Sequence, residues 1–371
     1  MTTTPPTELL APLLASLATV IDPEIRRPIT ELDMIGAASV AGGVATVELK
    51  LTIVGCPAAD RIEGDVRSAV LRTPGITGLD LTIGVMTPAE REALTLRLRG
   101  GRARGNQFGP ESLTHIYAIT SGKGGVGKSS LTANLGVALA QRGLRVGIVD
   151  ADVFGFSIPG ILGIADAKPT KVGELILPPV AFDVKVISIG MFVEGNTAVS
   201  WRGPMLHRTI QQFLGDVHFG DLDVLLLDLP PGTGDVAISI GQLLPQAEVI
   251  VVTTPQPAAA SVAERSATVA RQTGQSVLGV IENMAGLVQQ DGTILHLFGE
   301  GGGLDVATRL GVPVLASIPL SMGLREGGDA GLPVVLADPL DPAAVAILAA
   351  ADTLASRPRG LARRPLGLSV S

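Results

Sequence analysis

A single cysteine, Cys56, stands among the 371 residues, so no disulfide can close within the chain and a reducing compartment is expected. Aromatic side chains make up only 3%, so a core must be built from Ala, Val, Leu and Ile, and 46% hydrophobic residues supply them. No apolar run reaches the roughly 18 residues that span a bilayer. Met1-Thr2-Thr3-Thr4-Pro5-Pro6 also lacks the basic and apolar pattern of a signal peptide. A cytoplasmic protein with no membrane partner is the expectation. Positive charge is scarce too: a net charge of −7 argues against a general nucleic-acid coat, and no nucleic-acid partner is expected. Lysine occurs only at 50, 123, 128, 168, 171 and 185, yet two of these lie five positions apart in one glycine loop.

The length predicts two or three domains. The 46 glycines and 26 prolines are scattered between periodic segments and read as turns. Residues 7–96 read as a small α+β domain. Leu9, Leu10, Leu13, Leu14 and Leu17 have helical spacing. Val47, Leu49, Leu51 and Ile53 alternate with polar residues as in a half-buried strand. Ile62, Val66 and Val70 return to a helical period, and Ile76 to Val85 reads as a further strand. Residues 97–112 have the Arg/Gly composition of a solvated linker. From 113 to 356, apolar runs at Ile116–Thr120, Val146–Val149, Val224–Leu227, Val249–Val252, Val277–Ile281 and Val314–Ile318 alternate with helical segments. That rhythm predicts an α/β domain with a mainly parallel sheet and helices on both faces. Residues 357–371, with Pro358 and Pro365 interrupting any continuous face, read as a disordered tail.

The loop Gly122-Lys123-Gly124-Gly125-Val126-Gly127-Lys128-Ser129 follows a strand and opens an amphipathic helix, as a P-loop must. Its glycines allow backbone N–H groups to turn around phosphates, and the helix N-terminus adds positive potential. Lys128 would neutralise the β- and γ-phosphates of ATP, and the Ser129 hydroxyl would ligate magnesium. Asp228 ends one apolar run, and Asp150 and Asp152 end another. One such Asp is as often a helix cap as a ligand. Three at strand ends beside a P-loop point to the ligand crevice of a parallel sheet.

Lys123 gives the loop a second lysine, and in this the chain resembles the MinD/ParA ATPases with their deviant Walker A loop. More closely it resembles the Mrp/ApbC branch, cytosolic ATPases that carry iron–sulfur clusters. The resemblance rests on Asp150-Ala151-Asp152, Trp201-Arg202-Gly203-Pro204-Met205, Asp228-Leu229-Pro230-Pro231-Gly232-Thr233-Gly234-Asp235, Glu282-Asn283-Met284 and Arg325-Glu326-Gly327-Gly328-Asp329. Asp22-Pro23-Glu24 and Gly55-Cys56-Pro57 likewise resemble the small iron–sulfur assembly domain that often precedes the ATPase. The resemblance implies a homodimer that sandwiches two ATPs, with Lys123 reaching the partner's nucleotide. It implies that Asp152 orients the attacking water, that Asp150 supports the magnesium shell, and that Asp228 and Gly232 are the Walker B and second switch positions. Gly122 to Ser130 would hold the phosphates and Asn283 the adenine. Slow hydrolysis would act as a switch, with apo iron–sulfur clients or an assembly scaffold as partners.

One departure matters. Cluster-carrying members have a C-x-x-C pair between the Glu282-Asn283-Met284 motif and the glycines ending at Gly303, and that segment holds no cysteine here. A [4Fe–4S] cluster usually takes four thiolates, whereas two copies of this chain offer two. His296 is a poor substitute. Pro57 fits a first helical position, which places Cys56 near a helix cap where the dipole would lower its pKa; a buried, inert cysteine fits the same spacing. Transient contact of Cys56 with iron or a cluster edge is the functional reading, and an ATP-gated adaptor without a cluster is the alternative. Phe154 and Phe156 stand where the family more often has Tyr and Pro.

Overall fold

The computed structural model describes residues 6–100, 105–109, 111–192, 203–289 and 291–358. Trp201 and Arg202 of the third motif, residues 101–104 and 110 of the expected linker, and the tail from 359 lie outside the described residues. The chain divides into two compact units.

The first unit begins with helix α1 (Pro6–Leu17), strands β1 (Ile35–Ala41) and β2 (Val44–Leu51), helix α2 (Ala59–Leu71), strand β3 (Gly78–Val85) and helix α3 (Pro88–Leu98). β1 and β2 form an antiparallel hairpin whose two loop residues, Gly42 and Gly43, both have positive φ. Glycine is favoured there because a tight hairpin turn demands that backbone. β2 and β3 run parallel, so α2 serves as the crossover between them. α2 buries Ile62, Val66, Ala69 and Val70, the face its spacing requires. α3 starts at a capping box, with Thr87 accepting from the Glu90 N–H and Glu90 accepting from the Thr87 N–H.

In the second unit, β4 (His115–Ser121) leads into α4 (Lys128–Gln141), β5 (Val146–Asp150) and the short α5 (Ile158–Ile161). Next come the antiparallel pair β6 (Thr170–Val172) and β7 (Leu175–Leu177), then β8 (Val180–Ala181) and β9 (Val184–Ser188). Residues 169–178 and 216–220 group with the first unit, and Val172, Leu175 and Leu177 are buried in its core. The chain continues through α6 (Gly203–Asp216), β10 (Val224–Asp228), α7 (Asp235–Leu243), β11 (Glu248–Thr253), α8 (Pro257–Gln272) and β12 (Ser276–Asn283). After the small hairpin β13 (Leu287–Val288) and β14 (Ile294–Leu295) it closes with α9 (Gly302–Leu310), β15 (Val314–Ile318), α10 (Met322–Ala330), α11 (Val334–Ala337) and α12 (Pro342–Ala355).

The large sheet has the order β15-β12-β11-β4-β10-β5-β9-β8, parallel except for the edge pair β8–β9. Chain progress runs one way from β4 to β5 and the other way from β10 to β11 and β12. Right-handed crossovers therefore put α4 and α8 on opposite faces. α12 packs on α4 and α9 packs on α8, extending both layers. β4, β5 and β10 are covered on both sides, which explains their unbroken apolar runs. The strand order reverses at β4, so a ligand crevice opens at the carboxyl ends of β4, β10 and β5. No described helix is long and apolar enough to cross a membrane.

Candidate nucleotide site

The loop between β4 and α4 adopts left-handed backbone at Gly125 and Gly127, with φ of 76° and 81°. A side chain at Gly127 would also collide with Asn283 Nδ2, so this position needs glycine twice over. Gly122 passes against the backbone of Val262 and Ala263 in α8 with no room for a Cβ. Asn283 donates from Nδ2 to the Val126 carbonyl at 2.9 Å, while its buried Oδ1 has no partner. The residue expected at the adenine thus also braces the phosphate loop from the end of β12.

Sheet register brings the acids together. Asp228 of β10 pairs directly with Asp150 of β5, and both are fully buried. Lys128 Nζ lies 2.8 Å from Asp228 Oδ1. The Ser129 hydroxyl donates to Asp228 Oδ2 at 2.6 Å, and Thr132 donates to Oδ1 at 2.8 Å. Asp150 accepts from the Ser188 hydroxyl at 3.0 Å and from the backbone N–H groups of Asp152 and Ile158. Burial, then the neighbouring Asp228 charge, pushes the Asp150 carboxyl far above the usual carboxylate range. Burial also raises Asp152, whose Oδ1 holds the N–H groups of Phe154 and Gly155 and so shapes the loop after β5.

Two buried carboxylates face one lysine, so with both ionised negative charge would be left uncompensated. A divalent cation fits that excess and this donor set, with a hydroxyl and carboxylates as hard oxygen ligands. Ser129 would coordinate directly, with Asp228 and Asp150 behind it.

The remaining expected residues fall elsewhere. Lys123 donates to Gln256 Oε1 at 2.6 Å. Gly232, at φ 89°, donates its N–H to the Ser121 carbonyl at 2.7 Å, tying the loop after β10 to the start of the P-loop. His296 is exposed just after β14, with Nδ1 beside the Ala285 carbonyl and Nε2 3.3 Å from Glu300. Sequence reasoning missed Thr132, Ser188 and Gln256. Thr132 lies one helical turn beyond Lys128 on α4, a spacing that could have found it. Ser188 required the unpredicted strand β9, which pairs it with Asp150.

Cys56 requires a correction. Its helix starts at Ala59 with Ala58 as the cap residue, so Pro57 is outside the helix. The thiol is buried, and burial pushes its pKa up rather than down; Glu24 and Asp22 add to the rise, and a bond from Ala58 only partly opposes it. Asp22 Oδ1 accepts the N–H groups of Glu24 and Ile25 at 2.9 and 2.7 Å. Glu24 Oε1 accepts from the Thr170 hydroxyl at 2.7 Å. Among the described residues no group of three or more His, Cys, Asp and Glu side chains is arranged to hold a metal ion.

Residues 112–355, well over half the chain, match the ParA family of NUBPL iron-transfer P-loop NTPases. The chain belongs to this family. In this NTPase, residues 11–79 additionally match the iron–sulfur cluster assembly protein family. It is 52% identical over 370 residues to the iron–sulfur cluster carrier protein of Mycobacterium tuberculosis, covering 97% of each chain. The carrier protein of Deinococcus radiodurans is 42% identical over 347 residues, covering 93% of this NTPase and 94% of its relative. A nucleotide-binding protein of Archaeoglobus fulgidus, solved in complex with ADP, superposes with a TM-score of 0.52 at 38% identity. That match covers 58% of this chain and 86% of the other.

Proposed function

We propose that this NTPase is an ATP-gated iron–sulfur cluster carrier, in which hydrolysis times the handing of a cluster to apoproteins. The observation that carries this reading is end-to-end likeness to named carriers at 52% identity, in a chain whose buried Asp150, Asp228 and Lys128 converge with Ser129 on one crevice. Gly122 to Ser130 would wrap the phosphates with backbone N–H groups. Lys128 would exchange Asp228 for the β- and γ-phosphates of ATP. Bound magnesium would draw charge from those phosphates. Asp152 would orient the attacking water, Asn283 would meet the adenine, and Lys123 would reach the nucleotide of a second copy. That contact would link hydrolysis to homodimer closure. Slow hydrolysis suits such a switch better than metabolic turnover.

The cluster is cargo. Two copies of Cys56 cannot complete a four-thiolate site, so client or scaffold thiolates would supply the rest, with Cys56 touching iron or a cluster edge in passing. A second reading, an ATP-gated adaptor that holds no cluster, is favoured by the burial of Cys56 and by the cysteine-free stretch from Met284 to Gly303. Anaerobic reconstitution with iron and sulfide separates the two. With an apo-client or scaffold present to supply the missing thiolates, the carrier gives stable iron–sulfur absorbance and ATP-dependent activation of the client; the adaptor gives neither. Cys56→Ser that fully supports client maturation, in cells lacking the wild-type protein, would remove Cys56 from the scheme.

A further inference from the structure

Lys123 and Lys128 share one loop but are held by different chemistry. Lys128 answers the Asp228 carboxylate. Lys123 is held by a neutral amide, Oε1 of Gln256, and among the described residues it makes no ion pair. Gln256 is the residue that opens α8, just beyond the end of β11. Its carbonyl accepts the N–H groups of Ala259 and Ala260, which fixes its backbone. Its side chain makes no cap bond to the free N–H groups of its own helix and reaches Lys123 instead.

The placement is electrostatically poor for a cation, because a helix N-terminus carries positive potential. Lys123 is therefore held at a known position without being neutralised and against a mild repulsion. Release leaves behind only a half-buried amide, which water can satisfy. Had residue 256 been a carboxylate, release would strand a charge instead.

We propose that Gln256 is a positioning residue that parks Lys123 in cis, and that transfer of Lys123 from this amide to the nucleotide of a second copy sets the threshold for dimer closure. This rests on the reading that Lys123 acts across a homodimer. The test is sedimentation velocity of the full chain in Mg-ATP over a range of protein concentrations. Gln256→Met, which keeps length but removes the acceptor, tightens the ATP-dependent dimer roughly three- to tenfold. Gln256→Glu, which adds a charge to the clamp, weakens it by a similar factor. ATP affinity measured on dilute monomer stays unchanged in both, which also reports that they are folded. Both shifts vanish in a Lys123→Ala background, as a shared contact requires. Equal shifts with and without Lys123, or no shift from either variant while Lys123→Ala disrupts the dimer, overturn the parking role alone. A Lys123→Ala protein that dimerises and hydrolyses ATP normally overturns the trans-lysine reading with it.

Discussion

Acids are buried at the nucleotide crevice and again around Cys56, but the two sets have different environments. Asp150 and Asp228 sit side by side on neighbouring strands and share one lysine, and burial, with the Asp228 charge second, pushes Asp150 toward its neutral form. Asp22 and Glu24 are almost as deeply buried, yet backbone N–H groups and the Thr170 hydroxyl engage their oxygens. The first arrangement sets two acids against one lysine, so both can be charged together only with a further cation beside them. The second is satisfied from within and gives Cys56 a covered setting. Burial of carboxylates is thus no mark of a site by itself; the pairing of two acids across neighbouring strands beside a lysine and a hydroxyl is.

The contrast breaks most visibly at Lys128. Lys128→Ala removes the lysine paired with Asp228, and ATP affinity measured by calorimetry is expected to fall about 100-fold or more, with hydrolysis lost. Retained ATP binding would refute the crevice assignment. Next in size is magnesium. Because a cation relieves the Asp150–Asp228 repulsion, Mg-ATP at 100 times its Kd should stabilise the fold by about 2.7 kcal/mol in thermal denaturation. ATP with a chelator should give clearly less. Gly127→Ala forces left-handed backbone and a collision with Asn283, so it should cost about 1–3 kcal/mol and weaken nucleotide binding in the same variant.

The other pocket should respond more gently. Thr170→Val deprives Glu24 of one donor and should cost about 1 kcal/mol while leaving ATP affinity unchanged. The smallest effect is on Cys56 chemistry. Burial favours the neutral thiol, so the thiolate fraction at a given pH is below that of a free cysteine. Native alkylation should therefore be slower than in denaturant at mildly alkaline pH, with its inflection displaced upward. An inflection at or below the ordinary cysteine value would mean that the pocket opens.

Six of the seven parallel strands, the P-loop and the strand-end aspartates are legible because each lies in a local pattern: an apolar run, a glycine spacing, a carboxylate at the run's end. What brings Asp150 beside Asp228 is register between strands 78 residues apart, which no local pattern encodes. Strands β6, β7 and β8 are too short, at two or three residues, for alternation to declare them. Spacing leaves Cys56 open between a helix cap and a buried thiol for a related reason. Pro57 fits a helix start, but the turn before Ala59 and the depth of burial come from the surrounding packing.

The hairpin from Thr170 to Leu177 has a consequence for how the protein is made. Val172, Leu175 and Leu177 complete a core whose other members end at Leu98, so the amino-terminal unit leaves the ribosome with part of its interior still unwritten. At cellular synthesis rates the gap lasts on the order of ten seconds. During that interval the nascent unit presents apolar surface that only a later stretch of the same chain can cover, which makes this the natural moment for a chaperone to bind.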